Sequence, residues 1–381
     1  MSPLAEIIRR KIAEHGVLSF ARFMELALYC PNSGYYEVKK DSAGRHGDFY
    51  TSVSVGEVFG QLLAFQFAEW LEHPSSSSPH GSPRLIEAGA HDGQLARDIL
   101  ARLQLLHPKL FERLEYDIIE PSARRQEWQR ETLTPFAARV RWFSKFSELV
   151  GRNSVEPSLH GVIFSNELLD AMPVRRFGWD AKAKVWFEWG VTFADGKFVW
   201  ARSSDSLGPQ GGARDALENS PYSIFQLPSS LLDVLPDGYI IETCPAAEDW
   251  WREAASALGR GKLMAIDYGL TSDELFLPGR TGGTLRAYFR HHATDDLLAN
   301  PGEQDLTAHV NFSTIQSVGE ASGLKTEAVS TQAQFLTRIA EKIFKDPESF
   351  GEWGAKQSRE FQTLTHPEHL GRAFRVLIQS R

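Results

Sequence analysis

Cysteine and long apolar runs are scarce in this 381-residue chain. The two cysteines, Cys30 and Cys244, stand far apart, so the sequence predicts neither a disulfide framework nor a cysteine-based zinc site. No apolar run approaches the roughly 18 to 20 residues of a transmembrane helix, and no membrane partner is expected. Basic residues are also outnumbered, because 41 Lys and Arg face 49 Asp and Glu, giving a net charge of −8. That balance disfavours a nucleic-acid partner bound by a broad basic surface.

The N-terminal residues 1–15 predict an amphipathic helix rather than a targeting peptide. Their apolar positions recur at helical spacing, and Glu6 and Glu14 interrupt the basic residues. With cysteine scarce as well, the sequence predicts a cytoplasmic protein.

Residues 1–82 form the first predicted domain, a mainly helical region that ends in a linker. Apolar spacing predicts helices over Leu18–Leu28 and Val55–Glu72. The polar residues Gly44–Ser54 between them predict either a ligand-facing loop or a plain connection. Pro74–Pro83 is rich in serine and proline and is typical of an exposed linker.

Residues 83–381 form the second predicted domain, in which short apolar strands alternate with helices. This alternation predicts an α/β fold with a parallel sheet covered by helices on both faces. An insertion at about 174–238 contains a β-hairpin turning at Asp195-Gly196, and residues 270–310 are predicted to be loop-rich. The core strands are expected at Arg84–Ala88, Tyr116–Glu120, Val140–Phe143, Gly161–Ser165, Gly261–Tyr268, Lys325–Ser330 and Phe374–Ile378.

Polar residues follow several of these strands, and ligands of open α/β sheets bind outside the carboxyl ends of the strands. Glu120 can accept hydrogen bonds from both ribose hydroxyls of an adenosine ligand, a group that NAD and S-adenosylmethionine share. The strand ends carry, in order, Glu87-x-Gly89, Glu120-Pro121-Ser122, Trp142-Phe143, Asn166-Glu167 and Asp267-Tyr268-Gly269.

The first turn, Gly89-Ala90-His91-Asp92-Gly93, favours S-adenosylmethionine over NAD. It lacks the Gly-x-Gly-x-x-Gly pattern of a dinucleotide pocket. The acidic Glu87 and Asp92 would repel a pyrophosphate but suit the cationic methionine end of S-adenosylmethionine. An NAD-dependent oxidoreductase and a turn that binds no ligand are the alternatives.

The remaining chemistry-bearing groups have structural interpretations. His291 and His292 are adjacent rather than at ligand spacing, so no metal site is predicted. No nucleophile elbow with a Ser/His/Asp order is found, which disfavours a hydrolase.

Together these motifs carry a family resemblance across nearly the whole chain. The sequence resembles the MidA-like (DUF185) family of class I S-adenosylmethionine-dependent methyltransferases, whose mitochondrial members are arginine methyltransferases that assist assembly of respiratory complex I. The matching motifs are Pro31-x-x-Gly34-Tyr35-Tyr36, Gly47-Asp48-Phe49-x-Thr51-Ser52, Phe59-Gly60, Glu87-x-Gly89 to Leu95, Asp98-Ile99-Leu100, Glu120-x-Ser122 with Gln126, Asn166 to Val174, Asp267-Tyr268-Gly269, Pro301-Gly302, Asp305 to Val310 and Gln334-Phe335-Leu336.

The resemblance implies a Rossmann-like seven-strand sheet with an antiparallel last strand, and S-adenosyl-L-methionine as cofactor. It also implies that the loop Gly47–Ser52 closes over the site. The candidate cofactor-binding residues are Gly47, Thr51, Ser52, Glu87, Gly89, Asp92, Gly93, Glu120, Pro121, Ser122, Phe143 and Asn166.

The expected methyl acceptor is a protein side chain, with arginine implied by the resemblance. Carboxylates can bind a guanidinium bidentately, so Glu167, Asp170 and Asp48 are the candidate catalytic groups. His309 is a candidate proton carrier. The sequence does not decide whether the protein forms a homo-oligomer.

The chain departs from the family pattern at four places. The first turn has Ala90-His91-Asp92 where the family usually has Pro-Gly-Arg, and Val53-Ser54 replace the usual Pro-Glu. Gln61 and Asn311 stand where acidic residues are usual. These departures motivate one alternative, a weakly active or inactive methyltransferase-fold assembly factor that binds a partner protein.

Overall fold

The structure, a computed structural model, describes residues 2–38, 51–72, 82–150, 159–203, 229–289 and 292–381. Its strands, in chain order, are β1 Leu18–Ser19, β2 Arg84–Ala88, β3 Glu115–Ile119, β4 Val140–Phe143, β5 Leu159–Asn166, β6 Arg175–Asp180, β7 Val185–Ala194, β8 Lys197–Arg202, β9 Ile240–Thr243, β10 Leu258–Leu270, β11 Arg286–Phe289, β12 His292–Thr294, β13 Asp305–Thr307, β14 Val310–Asn311, β15 Lys325–Thr331 and β16 Phe374–Ser380.

The α-helices span Pro3–His15, Phe20–Tyr29, Tyr35–Val38, Ser52–Val55, Val58–Glu72, Gln94–Leu106, Pro108–Arg113, Ala123–Thr132, Phe146–Leu149, Ser229–Leu232, Pro245–Ala257, Ser272–Leu275, Phe312–Ala321, Gln332–Lys345 and Ala355–Thr365. Short 3-10 turns span Thr134–Phe136 and Pro347–Ser349. None of the helices in these described ranges is long and apolar enough to cross a membrane.

The chain divides into two compact units. The first unit comprises Met1–Ser42, Asp170–Asp249 and Gly269–Val318, and the second comprises Ala43–Leu169, Trp250–Tyr268 and Gly319–Arg381. The sequence-based boundary near residue 82 and the insertion at about 174–238 stay predictions. Most of the linker predicted over Pro74–Pro83 lies outside the described residues.

The second unit is built on a sheet with the strand order β15-β16-β10-β5-β2-β3-β4. Neighbours from β10 to β4 run parallel, and β16 is antiparallel to both β10 and β15. The predicted α/β class and the antiparallel last strand are therefore confirmed. Counting the two-residue β14, the described residues give this sheet eight strands, whereas the resemblance implies seven.

The apolar pattern of the sequence accounts for the core of this unit. Leu85 and Ile86 of β2 are fully buried, as is Ile99 of the following helix. Each such side chain contributes roughly 1.5 to 3 kcal/mol when it is removed from water. β5 and β10 begin before Gly161 and Gly261, the residues at which they were predicted to start. Both glycines lie inside paired strands, and a Cβ on Gly261 would collide with the carbonyl of Gly161.

The first unit contains two antiparallel sheets. In one, β7 pairs with β1, β6 and β8, and β6 pairs with β9. The predicted hairpin is β7–β8, and Asp195 and Gly196 both have the positive φ of a tight hairpin turn. β6 was not predicted from the sequence. The sheet β12-β11-β13 was not predicted either, and it lies inside residues 270–310, which were predicted to be loop-rich. These strands have three to six residues and lack a clear apolar alternation.

Candidate functional site

The turn after β2 is shaped by residues with left-handed backbone. Gly89, His91 and Gly93 have φ values of 75°, 47° and 89°. A Cβ on Gly89 would lie 2.8 Å from Leu168 Cδ1, so glycine lets the turn pack against the residues that follow β5. Gly93 lies directly before the helix Gln94–Leu106, so the free amides of that helix N-terminus lie beside the turn.

The Asp92 side chain accepts a hydrogen bond from this helix N-terminus. Its Oδ1 accepts a hydrogen bond from the Gln94 amide at 3.1 Å, and His91 Nδ1 lies 3.7 Å away. Burial acts to raise the pKa of Asp92, but the nearby His91 and hydrogen bonds from the main chain outweigh it and lower the pKa. Asp92 is therefore ionised at neutral pH and adds negative charge to the turn.

Glu87 is a buried carboxyl at the end of β2. It is 2% exposed, and its Oε2 accepts a hydrogen bond from the Tyr116 hydroxyl at 2.6 Å. Burial raises the pKa of Glu87 to about 7, against the lowering effect of the Tyr116 bond, and the charge of Asp92 raises it further. A nearby cation would drive the ionisation of this group at neutral pH.

Glu120, directly after β3, is buried and held by three donors. Oε1 accepts from the Ser122 amide at 2.9 Å and from Arg125 at 2.8 Å, and Oε2 accepts from Gln129 Nε2 at 3.2 Å. A carboxylate offers about four acceptor positions. Within the described residues one position therefore stays available for a ligand hydroxyl. Pro121 beside it is exposed.

Gln129 connects three strand ends. Its Nε2 also donates to the His91 carbonyl at 3.1 Å, and its Oε1 accepts from Trp142 Nε1 at 2.9 Å. Phe143 is half-buried, and its carbonyl accepts from the Glu120 amide at 2.8 Å. Gln129 was not predicted as a site residue, because it lies on the helix Ala123–Thr132 rather than at a strand end.

Glu167, directly after β5, has a left-handed backbone with φ of 52°. Its Oε1 accepts from the Ser52 amide at 3.0 Å and from Asn166 Nδ2 at 3.1 Å. Burial raises the pKa of Glu167 to about 8, the bonds from Ser52 and Asn166 lower it, and the charge of Asp267 raises it. The structure thus brings together three residues that the sequence singled out, Ser52, Asn166 and Glu167.

Ser52, Thr51 and Asn166 provide further polar atoms near the end of β5. Ser52 Oγ donates to Gln332 Oε1 at 3.0 Å, and Thr51 caps the short helix Ser52–Val55. Asn166 Oδ1 is buried and has no hydrogen-bond donor among the described residues. A buried acceptor of this kind is suited to a donor on a ligand.

Two other predicted catalytic residues are described by the structure. Asp170 and His309 both belong to the first unit, where the Asp170 carbonyl accepts from the Ala308 amide at 2.9 Å. Burial lowers the pKa of His309 to about 4, with the charges of Arg280 and Arg286 acting in the same direction, so His309 is neutral at neutral pH.

Gly47 and Asp48 lie outside the described residues, so their predicted roles stay predictions. The same holds for the part of the predicted closing loop before Thr51.

Residues 62–330 match the family described as "Putative S-adenosyl-L-methionine-dependent methyltransferase". The chain belongs to this methyltransferase family. The match confirms the resemblance found in the sequence.

Relatives and a solved structure agree with this assignment. The methyltransferase is 26% identical to the protein arginine methyltransferase NDUFAF7 homolog, mitochondrial, of Drosophila melanogaster, over 98% of this chain and 84% of the relative. The Mus musculus protein arginine methyltransferase NDUFAF7, mitochondrial, is also 26% identical, over 98% and 83%. A Burkholderia thailandensis crystal structure, described as a "likely methyl transferase" bound to S-adenosyl-homocysteine, has 32% identity and a TM-score of 0.79, covering 99% of this chain and 92% of that one.

The protein is therefore an S-adenosylmethionine-dependent methyltransferase with S-adenosyl-L-methionine as cofactor. The prediction of a cytoplasmic protein is wrong by the same comparison, because the fly and mouse relatives are named as mitochondrial proteins. A small number of cysteines does not by itself identify a compartment.

The residues of the second unit fit this cofactor. Glu87 and Asp92 supply negative charge for a cation, Glu120 has an acceptor position for a ribose hydroxyl, and Asn166 Oδ1 is a buried acceptor. Sequence analysis did not assign site roles to Tyr116, Arg125, Gln129, Asp267 or Gln332, although Asp267 stood at a strand end. Their roles come from hydrogen bonds between elements that are distant in sequence.

Proposed function

We propose that this methyltransferase transfers the methyl group to the guanidinium of an arginine side chain in a protein. The names of the fly and mouse relatives support an arginine acceptor. The observation that carries the proposal is the Glu167 carboxyl, which is fixed at the end of β5 and has a strongly raised proton affinity.

Glu167 is suited to bind the acceptor. Its Oε1 is held by the Ser52 amide and by Asn166, and Oε2 has no donor among the described residues. A guanidinium stays protonated in proteins and offers paired N–H donors to a carboxylate. Binding of this cation would favour the ionised form of Glu167 and release a proton at neutral pH.

Glu167 is also suited to take up the proton that the reaction releases. S-adenosylmethionine supplies the methyl group when bound, so that its carbon–sulfur bond breaks as a nitrogen–carbon bond forms. The acceptor nitrogen must then lose a proton. Once ionised, the Glu167 carboxylate is a positioned base, and the burial that raises its pKa in the unbound protein favours uptake of this proton.

The cofactor-binding roles are part of the same proposal. Glu87 and Asp92 would bind the cationic end and Glu120 the ribose, with Gly89 and Gly93 allowing close approach of the backbone. The remaining proposed contacts are Gly47, Thr51, Ser52, Pro121, Ser122, Phe143 and Asn166. Asp48, Asp170 and His309 stay proposed members of the catalytic set.

The substitution Glu167→Gln tests the proposal. It keeps the shape of the side chain but removes its charge and its proton affinity, so we expect methyl transfer to fall by roughly 100-fold or more. Affinity for S-adenosylmethionine, measured by calorimetry, is expected to stay within about threefold of the wild type. The matched control Glu112→Gln changes an exposed glutamate of the helix Pro108–Arg113 and should leave both values unchanged.

The acceptor itself is identified by mass spectrometry. Proteins from cells with and without this enzyme are compared for arginines that carry the mass of one added methyl group. Normal turnover of the identified acceptor by Glu167→Gln would contradict the role of Glu167. A wild-type protein that binds no S-adenosylmethionine at millimolar concentration would favour the alternative of an inactive assembly factor.

A further inference from the structure

Asp267 is a fully buried carboxylate of β10, one residue beyond Ile266, the last residue of β10 that pairs with β5. Its Oδ2 accepts from the amides of Leu168 and Leu169 at 3.1 and 2.8 Å. Its Oδ1 accepts from the Tyr268 amide at 2.8 Å. Two of these three donors belong to the residues that directly follow Glu167.

These contacts bear on the backbone of Glu167. A residue with a side chain costs roughly 1 to 2 kcal/mol in the left-handed region, so the surrounding structure must hold it there. The Glu167 amide donates to the Ile266 carbonyl at 2.9 Å, and the next two amides donate to Asp267. The left-handed residue is thus held on both sides by two consecutive residues of β10, Ile266 and Asp267.

We infer that Asp267 is a positioning residue, which holds the turn Glu167–Leu169 so that the Glu167 carboxylate faces the methyl acceptor. This inference rests on the role proposed above for Glu167. The same turn carries Leu168, which packs against Gly89 of the first turn. Asp267 therefore acts on the backbone that carries the Glu167 carboxylate.

A carboxylate suits this position better than its amide. Three N–H donors point at Asp267, and an ionised carboxylate has only acceptor positions. In Asp267→Asn, the amide nitrogen would have to face one of these N–H groups, so at least one hydrogen bond is lost. The buried negative charge is lost as well. Among the described residues this charge raises the pKa of Glu167, whereas the neutral Ser52 and Asn166 act on it through hydrogen bonds.

The inference is tested by titrating Glu167 directly. In protein labelled with 13C at the glutamate carboxyl carbon, the Glu167 signal is assigned by its absence in Glu167→Gln. We expect a midpoint near the pKa of about 8 in the wild type. In Asp267→Asn, the midpoint should fall by about half a pH unit or more, because a like charge has been removed. An unchanged midpoint would overturn the inference.

The control Asp117→Asn separates positioning from loss of stability. Asp117 is also fully buried, but it pairs with Arg84 and Arg141 and does not contact the turn. Its substitution should lower the unfolding temperature without moving the Glu167 midpoint. A shift of equal size in both variants would mean that Asp267 acts only through general destabilisation.

Two further readouts complete the test. In Asp267→Asn, the maximal rate of methyl transfer should fall by about tenfold or more, while affinity for S-adenosylmethionine stays within about threefold. In the wild type, the Leu168 and Leu169 amides should exchange with solvent at least roughly 100-fold more slowly than in an unfolded chain. Fast exchange would overturn the inference even if Asp267→Asn does not fold.

The experiment distinguishes failure of this inference from failure of the proposed function. The titration and exchange measurements need no methyl acceptor. If arginine is not methylated by the wild type but both measurements succeed, the proposed function fails while the positioning of Glu167 by Asp267 stands. If arginine is methylated and the midpoint does not move, the positioning role fails alone.

Discussion

We expect Glu87 to link the stability of this methyltransferase to cofactor binding. Its pKa of about 7 lies above the ordinary 4.5, mainly because of burial. Between these values the unfolded chain loses a proton that the folded protein keeps, so the free energy of unfolding falls as pH rises through this window. A difference of about 2.5 units corresponds to roughly 3 kcal/mol of lost stability above neutral pH.

The substitution Glu87→Gln removes this cost and can keep the hydrogen bond from Tyr116. We expect the difference in free energy of unfolding between Glu87→Gln and the wild type to grow in favour of the variant by about 2 to 3 kcal/mol from about pH 5 to about pH 8. Denaturant unfolding monitored by circular dichroism at both pH values measures this change.

The same variant should bind S-adenosylmethionine more weakly. In the wild type, the ionised fraction of Glu87 rises from about one tenth to about nine tenths between roughly pH 6 and pH 8, so affinity should gain up to about tenfold. Calorimetry should show that Glu87→Gln lacks this gain. Any titration of the cofactor itself appears in both proteins and cancels in the comparison.

Asp98→Asn is a matched control for the stability effect. Burial raises the pKa of Asp98 to about 6, so its substitution should also stabilise the protein as pH rises, but without changing the pH dependence of cofactor affinity. A stability difference between Glu87→Gln and the wild type that stays constant with pH would refute the reasoning. So would an unaltered pH dependence of cofactor affinity in Glu87→Gln.

Two further predictions concern residues around the site. Gln129→Ala removes a donor from Glu120, so cofactor affinity measured by calorimetry should fall by about tenfold; unchanged affinity would show that Gln129 does not help to orient Glu120. Gly60→Ala places a Cβ 2.6 Å from Asp98 Cβ and should lower the free energy of unfolding by about 1 to 3 kcal/mol, measured with denaturant. The control Gly279→Ala meets no atom within 4 Å and should change it by less than about 0.5 kcal/mol, so equal losses in both variants would contradict the packing argument.

The strand framework could be predicted from sequence because its signals are local. β2 and β4 have the predicted bounds, since apolar runs bounded by turn residues mark a buried strand. Glu120 and Glu167 were predicted from the rule that ligands bind at the carboxyl ends of such strands. β6 and β11 could not be found this way, because their residues form strands through pairing with distant partners.

The protonation states of the acidic residues were not predictable from sequence. Glu87 and Glu167 both lie at strand ends, yet their surroundings differ. Glu87 is buried with one hydroxyl donor. Glu167 lies near the charge of Asp267, which is 100 residues further along the chain. A carboxyl's proton affinity depends on these tertiary neighbours and not on its own position in a strand.

The departures in the first turn gain a physical interpretation from the same contacts. Gly89 and Gly93, which the structure places in the left-handed region, are retained, and Asp92 satisfies the Gln94 amide at the helix N-terminus. His91 replaces a usual glycine at a left-handed position, where histidine is better tolerated than most residues. Its carbonyl still accepts from Gln129, so the turn stays connected to Glu120. The substitutions therefore change side chains of the turn, while Gly89 and Gly93 keep the left-handed backbone and Gly89 still allows close approach to Leu168.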